Sequence, residues 1–322
     1  MVQKVVAFLS NKLTLRGTEV AMYDYADYNE LLLRNKSIII TRNYDLIKHE
    51  YDVSSDAYMK FSKRFLVEYY ANQSDIDAIV ESHKVTHLYI IKAGGMDGLY
   101  STKCKNLIHC VFSTNQPHGN IYSAISSDVN RVNKTNFPVV PHMIRNFNTT
   151  EHLRHELNIP LNAIVFGRFG GMESFDITFV HKVIENILKT RYDIFFLFMN
   201  TNRFYEHPHI IYLKGTTDME YKRKFINTSD ALLHARSGGE TFGLTCGEFA
   251  IEKKTVITYS ESRERNHINI LGDKAVLYKD PESLLSVLSE FTKNKYNMDG
   301  NHYLDYSPVN IMNIFNQVYL ND

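Results

Sequence analysis

The chain has 322 residues, with 36 Lys+Arg against 36 Asp+Glu and a formal net charge of zero. Even charge argues against a protein that tracks nucleic-acid phosphates, which needs a basic excess. A 44% hydrophobic content spread along the chain excludes general disorder.

In chain order, residues 5–10 (VVAFLS) read as a buried strand, too short for a signal-peptide core and followed by polar residues. Residues 19–33 have helical character, and 37–41 (SIIIT) form a second strand. Residues 58–70 and 75–83 read as helices, the latter with Ser74 as N-cap. Asp75 and Asp77 make a D-x-D at that helix start and are read as capping rather than metal-binding. A strand at 85–92 ends at the Gly94-Gly95 turn, and strands at 107–112 and 138–144 complete a first set.

The alternation then restarts. Strands are expected at 163–166, 194–199, 210–213, 231–234 and 255–259, and helices at 179–189, 219–227, 245–251, 284–291 and 310–319. Strands alternating with helices predict an α/β protein with mostly parallel sheets. The polar stretch at 146–151 places a boundary. The expected organisation is a first Rossmann-like domain over 1–148, a second over 149–305, and a terminal helix over 306–322 that could pack back on the first. Residues 1–145 hold 17 basic and 14 acidic side chains and the remainder 19 and 22, a mild polarity. No run approaches the roughly 20 apolar residues of a membrane span. Cys104, Cys110 and Cys246 form no metal-spaced or redox motif. A soluble, cytoplasmic protein is expected, with peripheral membrane contact left open.

The most informative stretch runs from Arg236 to Glu248, RSGGETFGLTCGE, between a short strand and a helix. Its glycines allow close backbone approach, and the helix that it opens offers unpaired N–H groups, a geometry suited to a diphosphate. Glu240 and Glu248 could address separate hydroxyls of one extended ligand; a plain glycine turn with a dipole-favourable Glu is the alternative. A second stretch, Gly167-Arg168-Phe169-Gly170-Gly171, puts an arginine at a strand end where it can reach phosphate oxygens.

Together these residues resemble the retaining GT-B glycosyltransferases of the E-x7-E family, also known as glycosyltransferase group 1 or family 4. Glu240 to Glu248 matches the motif's spacing, Phe242-Gly243 its FG, and Gly167-Arg168 the Gly-Arg that follows the first strand of the C-terminal domain. The resemblance covers roughly residues 150–260. It implies two Rossmann-like domains facing a cleft and transfer of a sugar from a nucleotide-sugar donor, a UDP- or GDP-sugar, to a glycan or other hydroxyl acceptor. It implies no metal and no other cofactor.

By the same resemblance Glu240 lies against the donor sugar, Glu248 binds the ribose, and the backbone around Thr241, Phe242, Gly243, Leu244 and Thr245 holds sugar and diphosphate. Arg168 stabilises the leaving diphosphate, with Gly170 and Gly171 beside it. Asn200 and Thr201 edge the crevice, and Lys214-Gly215 face the base. In the first half Gly17 becomes the loop contact to the donor phosphate, and His118 the histidine near the anomeric carbon, against an ordinary turn histidine. One position departs: the lysine expected five residues after the arginine is Glu173. Arg236, Lys214 or Lys92 would have to supply the second cation. That departure motivates a second reading, a non-catalytic nucleotide-sugar or glycan-binding protein; a third is a nucleotide-sugar epimerase on the same two-domain frame.

Overall fold

The computed structural model describes residues 3–147, 149–293 and 295–321. The chain forms two compact units, Met1–Met143 with Tyr306–Asp322, and Ile144–Asp305. The first carries β1 (Val5–Leu9), β2 (Lys36–Thr41), β3 (Leu66–Tyr69), β4 (His87–Lys92), β5 (Lys105–Cys110) and β6 (Ile121–Ala124). The second carries β7 (Ile164–Phe169), β8 (Ile194–Met199), β9 (Ile210–Leu213), β10 (Ala231–His234), β11 (Gly239–Glu240), β12 (Thr255–Tyr259), β13 (Glu264–Arg265) and β14 (Ala275–Tyr278).

Each unit has one six-stranded sheet, ordered β3-β2-β1-β4-β5-β6 in the first and β14-β12-β10-β7-β8-β9 in the second. Every pairing within them is parallel. Numbered within each unit, both orders read 3-2-1-4-5-6, the doubly wound Rossmann arrangement. The chain reverses direction across the sheet beside the first strand, between β1 and β4 and between β7 and β10. Ligands of such sheets bind outside the strands' carboxyl ends at that point.

Sequence explains why the central strands form. Ile38, Ile39 and Ile40 in β2, and Phe196, Leu197 and Phe198 in β8, are completely buried. Apolar residues in succession suit a strand covered on both faces. The helix Pro308–Phe315 adds Ile311, Met312 and Phe315 to the core that holds Val6, Phe8 and Tyr25 in the first unit. Among the described residues no helix is long and apolar enough to cross a membrane.

The structure corrects several expected elements. Residues 138–144 form no strand beyond one bridge, Ala124 to Val139; Pro138 and Pro141 lack the N–H that a ladder needs. The sheet's last strand is instead β6, which the sequence reading missed. Residues 66–69 are an edge strand, not the end of a helix: the helix Ser55–Arg64 stops at Phe65, whose backbone is extended. The helix Gln73–Ser82 is capped by Asn72 rather than Ser74. Asp75 closes that cap by accepting from the Ala71 and Asn72 amides. Asp77 accepts from Ser101 and Thr102, so both acids of the D-x-D have structural partners.

Candidate functional site

In the second unit the two stretches singled out by sequence emerge from the carboxyl ends of β7 and β10, on either side of the reversal. They are tied together. Asp176 accepts from the Ser237 amide and hydroxyl, both at 2.7 Å, and its own amide donates to Ala235. The β10 loop is pinned further by the short parallel pairing of β11 with β13. Gly239 has a φ of +65°, and a Cβ there would stand 1.8 Å from the Glu264 carbonyl, so only glycine permits the pairing.

Gly243, at φ +88°, precedes the helix Leu244–Ile251 and offers no side-chain cap. The helix's first amides therefore lack intrahelical partners, the arrangement that receives an anion. Tyr303 donates its hydroxyl to the Phe242 carbonyl at 2.7 Å, and Thr245 donates to the Phe169 carbonyl at 3.4 Å. Thr241 and Phe242 are themselves buried and support the turn.

Glu240 is the most connected acid of the loop. Arg236 donates to it at 3.0 Å and His234 Nε2 lies 3.3 Å away. Burial pushes its carboxyl up, but the hydrogen bond from His234 and the charge of Arg236 outweigh that and hold it down at about 2. About a quarter of its side chain, 26%, stays exposed, and its two oxygens are held in place by His234 and Arg236.

Glu248, one turn into the helix, pairs through Oε1 with Lys222 Nζ at 2.6 Å. Its Oε2 is buried without a hydrogen-bond partner among the described residues. A buried acceptor in that state is the exception in folded proteins and marks a place where a ligand hydroxyl would fit.

Arg168 is 3% exposed. It donates to the Asn200 carbonyl at 2.9 Å, the Gly171 carbonyl at 2.6 Å, Ser174 Oγ at 2.8 Å and the Thr201 hydroxyl. Asn200 donates back to the Gly170 carbonyl at 2.7 Å. Burial lowers the guanidinium to about 10, still charged at neutral pH. Arg168 thus organises the loops after β7 and β8 while lending them positive charge.

The remaining candidates are more dispersed. Lys214 is exposed and Gly215 follows it, after the edge strand β9. Glu173 is exposed. Lys92 is buried and bonded to Asp97 and the Leu99 carbonyl. Gly17 and His118 belong to the first unit. Gly17 opens the helix Gly17–Leu31. His118 donates from Nδ1 to the Gln116 carbonyl at 2.7 Å, and its Nε2 has no partner among the described residues.

Sequence reading missed His234, Thr258, His267, Asp176, Lys222 and Tyr303. His234 carried a signal, a histidine ending a strand beside the glycine loop. The others lie on elements whose approach no spacing rule reveals. Among the described residues one group could hold a metal: His234, Cys246 and His267, all buried, with ligand atoms within 4.8 Å of one another. Both nitrogens of His234 and the Nε2 of His267 are hydrogen-bonded to protein groups, whereas His267 Nδ1 has no hydrogen-bond partner among the described residues.

No protein-family model matches the chain, and curated proteins give no sequence match. Solved structures do match in fold. A glycosyltransferase from Rickettsia africae ESF-5 is 16% identical with a TM-score of 0.71, covering 100% of both chains. HepE of Anabaena in complex with UDP-glucose is 12% identical with a TM-score of 0.69, covering 97% of this chain and 98% of its own. An enzyme from Listeria monocytogenes described as a UDP-N-acetylglucosamine 2-epimerase is 11% identical at 0.59, covering 97% and 94%. The fold is GT-B, two Rossmann-like domains each with a parallel sheet.

Proposed function

We propose that the protein is a glycosyltransferase whose second unit binds a nucleotide sugar, a UDP- or GDP-sugar, and whose acceptor is a glycan or glycoconjugate hydroxyl. The observation that carries this reading is the ionised, partly exposed Glu240 beside an uncapped helix start at the reversal of a doubly wound sheet. A carboxylate there accepts from sugar hydroxyls, while the amides of Gly243, Leu244 and Thr245 receive the diphosphate. Glu248 Oε2 accepts from a ribose hydroxyl, with Lys222 holding the other oxygen.

Glycosyl transfer builds positive charge on the anomeric carbon and negative charge on the departing diphosphate. Helix amides and the charge of Arg168 stabilise the second. With Glu173 in place of a lysine, Arg236 is the cation closest to the loop that can share that task. Gly17 and His118 complete the assignment on the first unit, His118 through its unpartnered Nε2. By resemblance to the E-x7-E enzymes the transfer retains anomeric configuration and needs no metal; the sparse, unspaced cysteines fit a cytoplasmic setting, with which peripheral membrane contact is compatible.

The test is incubation of the purified chain with UDP- and GDP-sugars, with and without glycan acceptors. Release of nucleoside diphosphate that disappears in Glu240→Ala supports the transferase. A donor that binds and is never consumed supports a binding protein, which the missing lysine favours. Conversion of the sugar on UDP-N-acetylglucosamine alone supports an epimerase, which the Listeria neighbour favours.

A further inference from the structure

Behind Glu240 four side chains make one hydrogen-bonded file. His234 Nε2 lies 3.3 Å from Glu240 Oε1, His234 Nδ1 lies 2.9 Å from Thr258 Oγ1, and Thr258 Oγ1 lies 2.9 Å from His267 Nε2. The members come from the end of β10, from β12 and from the helix Asn266–Leu271. Thr258 and His267 are fully buried and His234 is nearly so. The two imidazole centroids are 4.9 Å apart.

The proton positions follow by elimination. An ionised carboxylate only accepts, so His234 Nε2 carries a proton toward Glu240. A hydroxyl has one proton, so Thr258 donates to one ring and accepts from the other. His267 keeps its one proton on Nε2, because its Nδ1 is buried with no hydrogen-bond partner among the described residues and an N–H there would go unmatched. Thr258 then accepts from His267 Nε2–H and donates to His234 Nδ1, which is a lone pair. Burial lowers His267 to about 3, so it holds one proton at neutral pH. The loop is fitted to this ring: a Cβ on Gly243 would stand 2.8 Å from His267 Cβ.

We propose that Thr258 and His267 are positioning residues that act through His234, fixing its tautomer and hence the orientation of the Glu240 carboxylate. The catalytic consequence rests on the donor reading above; the polarity of the file does not.

Two measurements on the full chain separate these. First, two-bond ¹H–¹⁵N correlation of histidine-labelled protein at neutral pH without ligand, with His234 and His267 assigned by single His→Gln variants. Both rings are expected as Nε2–H tautomers. Thr258→Val should release His234 into a tautomer mixture, and Thr258→Ser should restore it. A His267 protonated at Nδ1, a doubly protonated His234, or a His234 unmoved by Thr258→Val overturns the file. Second, turnover of UDP-glucose. Thr258→Val should lower kcat about tenfold with KM little changed, and Thr258→Ser should recover to within about twofold. Wild-type kcat in Thr258→Val, alongside loss in Glu240→Ala, overturns the positioning role while sparing the donor reading. A file with the expected tautomers in a chain that binds neither UDP nor GDP and turns over neither UDP- nor GDP-sugars overturns the donor reading, and the catalytic consequence with it.

Discussion

In the first unit the histidine His109 lies within β5, fully buried, with Nδ1 at 2.6 Å from the Tyr89 hydroxyl and with Tyr25, His142 and Tyr319 around it. In the second unit His234 ends β10 and His267 opens a helix, and their hydrogen bonds lead to a carboxylate that is 26% exposed. The strand order is the same in both. In the first sheet His109, the fifth of six residues of β5, is enclosed by aromatic rings; in the second His234, the last residue of β10, joins a hydrogen-bonded path to a partly exposed carboxylate. A buried polar group has functional meaning here when its partners lead outward and leave an acceptor or a charge unspent, not merely when it is buried.

Breaking each arrangement should have different consequences. Glu240→Ala should lower consumption of a sugar nucleotide by at least about 10²-fold, the scale of losing a group that acts on developing charge. His109→Phe should leave turnover unchanged and cost about 1–3 kcal/mol of stability, because the Tyr89 hydroxyl loses its partner. Steady-state kinetics and denaturant melts on the two variants check this. If His109→Phe also stops turnover, the contrast fails.

Acid should sharpen it. Burial holds His109 and His267 at about 3, below the usual 6.5. Each stays neutral in the fold while the unfolded chain takes a proton, so stability is full above pH 6.5 and falls as pH drops toward 3. Glu240, held at about 2 against 4.5, adds a loss confined to the second unit as pH falls from 4.5 toward 2. Calorimetric melting between pH 7 and pH 3 should show the decline, and His109→Phe should flatten it without removing the part below 4.5.

Gly243→Ala should cost about 1–3 kcal/mol, because the left-handed backbone and the contact with His267 both oppose a Cβ. It should weaken UDP binding in titration calorimetry, whereas a purely structural glycine would leave affinity intact. The smallest effect belongs to the first unit: Asn72→Ala removes a helix cap worth about 1 kcal/mol and should change neither turnover nor its metal dependence. A metal-linked effect would mean that Asp75 and Asp77 do more than hold a helix and a loop.

Much of this contrast was legible in the sequence. Strands such as 194–199, 231–234 and 255–259 stand where their apolar runs lie, because a strand covered on both faces has a strong local signature. The misreadings fall at sheet edges. Residues 66–69 are only partly buried and follow a helix with no glycine or proline between; 121–124 are four residues after a polar loop. Glu240, Glu248, Gly243 and Arg168 could be chosen because glycine, acid and helix start adjoin in the chain. Arg168's saturation by loop groups could not be read from it. Neither could the path from Glu240 to His267, since it crosses from β10 to β12 to a helix and depends on the register that sets His234 beside Thr258.

The central claim is that the loop from Arg236 to Glu248 receives a nucleoside diphosphate. Titration calorimetry of UDP and GDP against the wild-type chain and Glu248→Ala tests it most directly. The account predicts saturable binding of at least one of them, weakened about tenfold or more when the carboxylate that would hold the ribose is removed. No heat of binding from either nucleotide, or equal affinity in the two proteins, would contradict it.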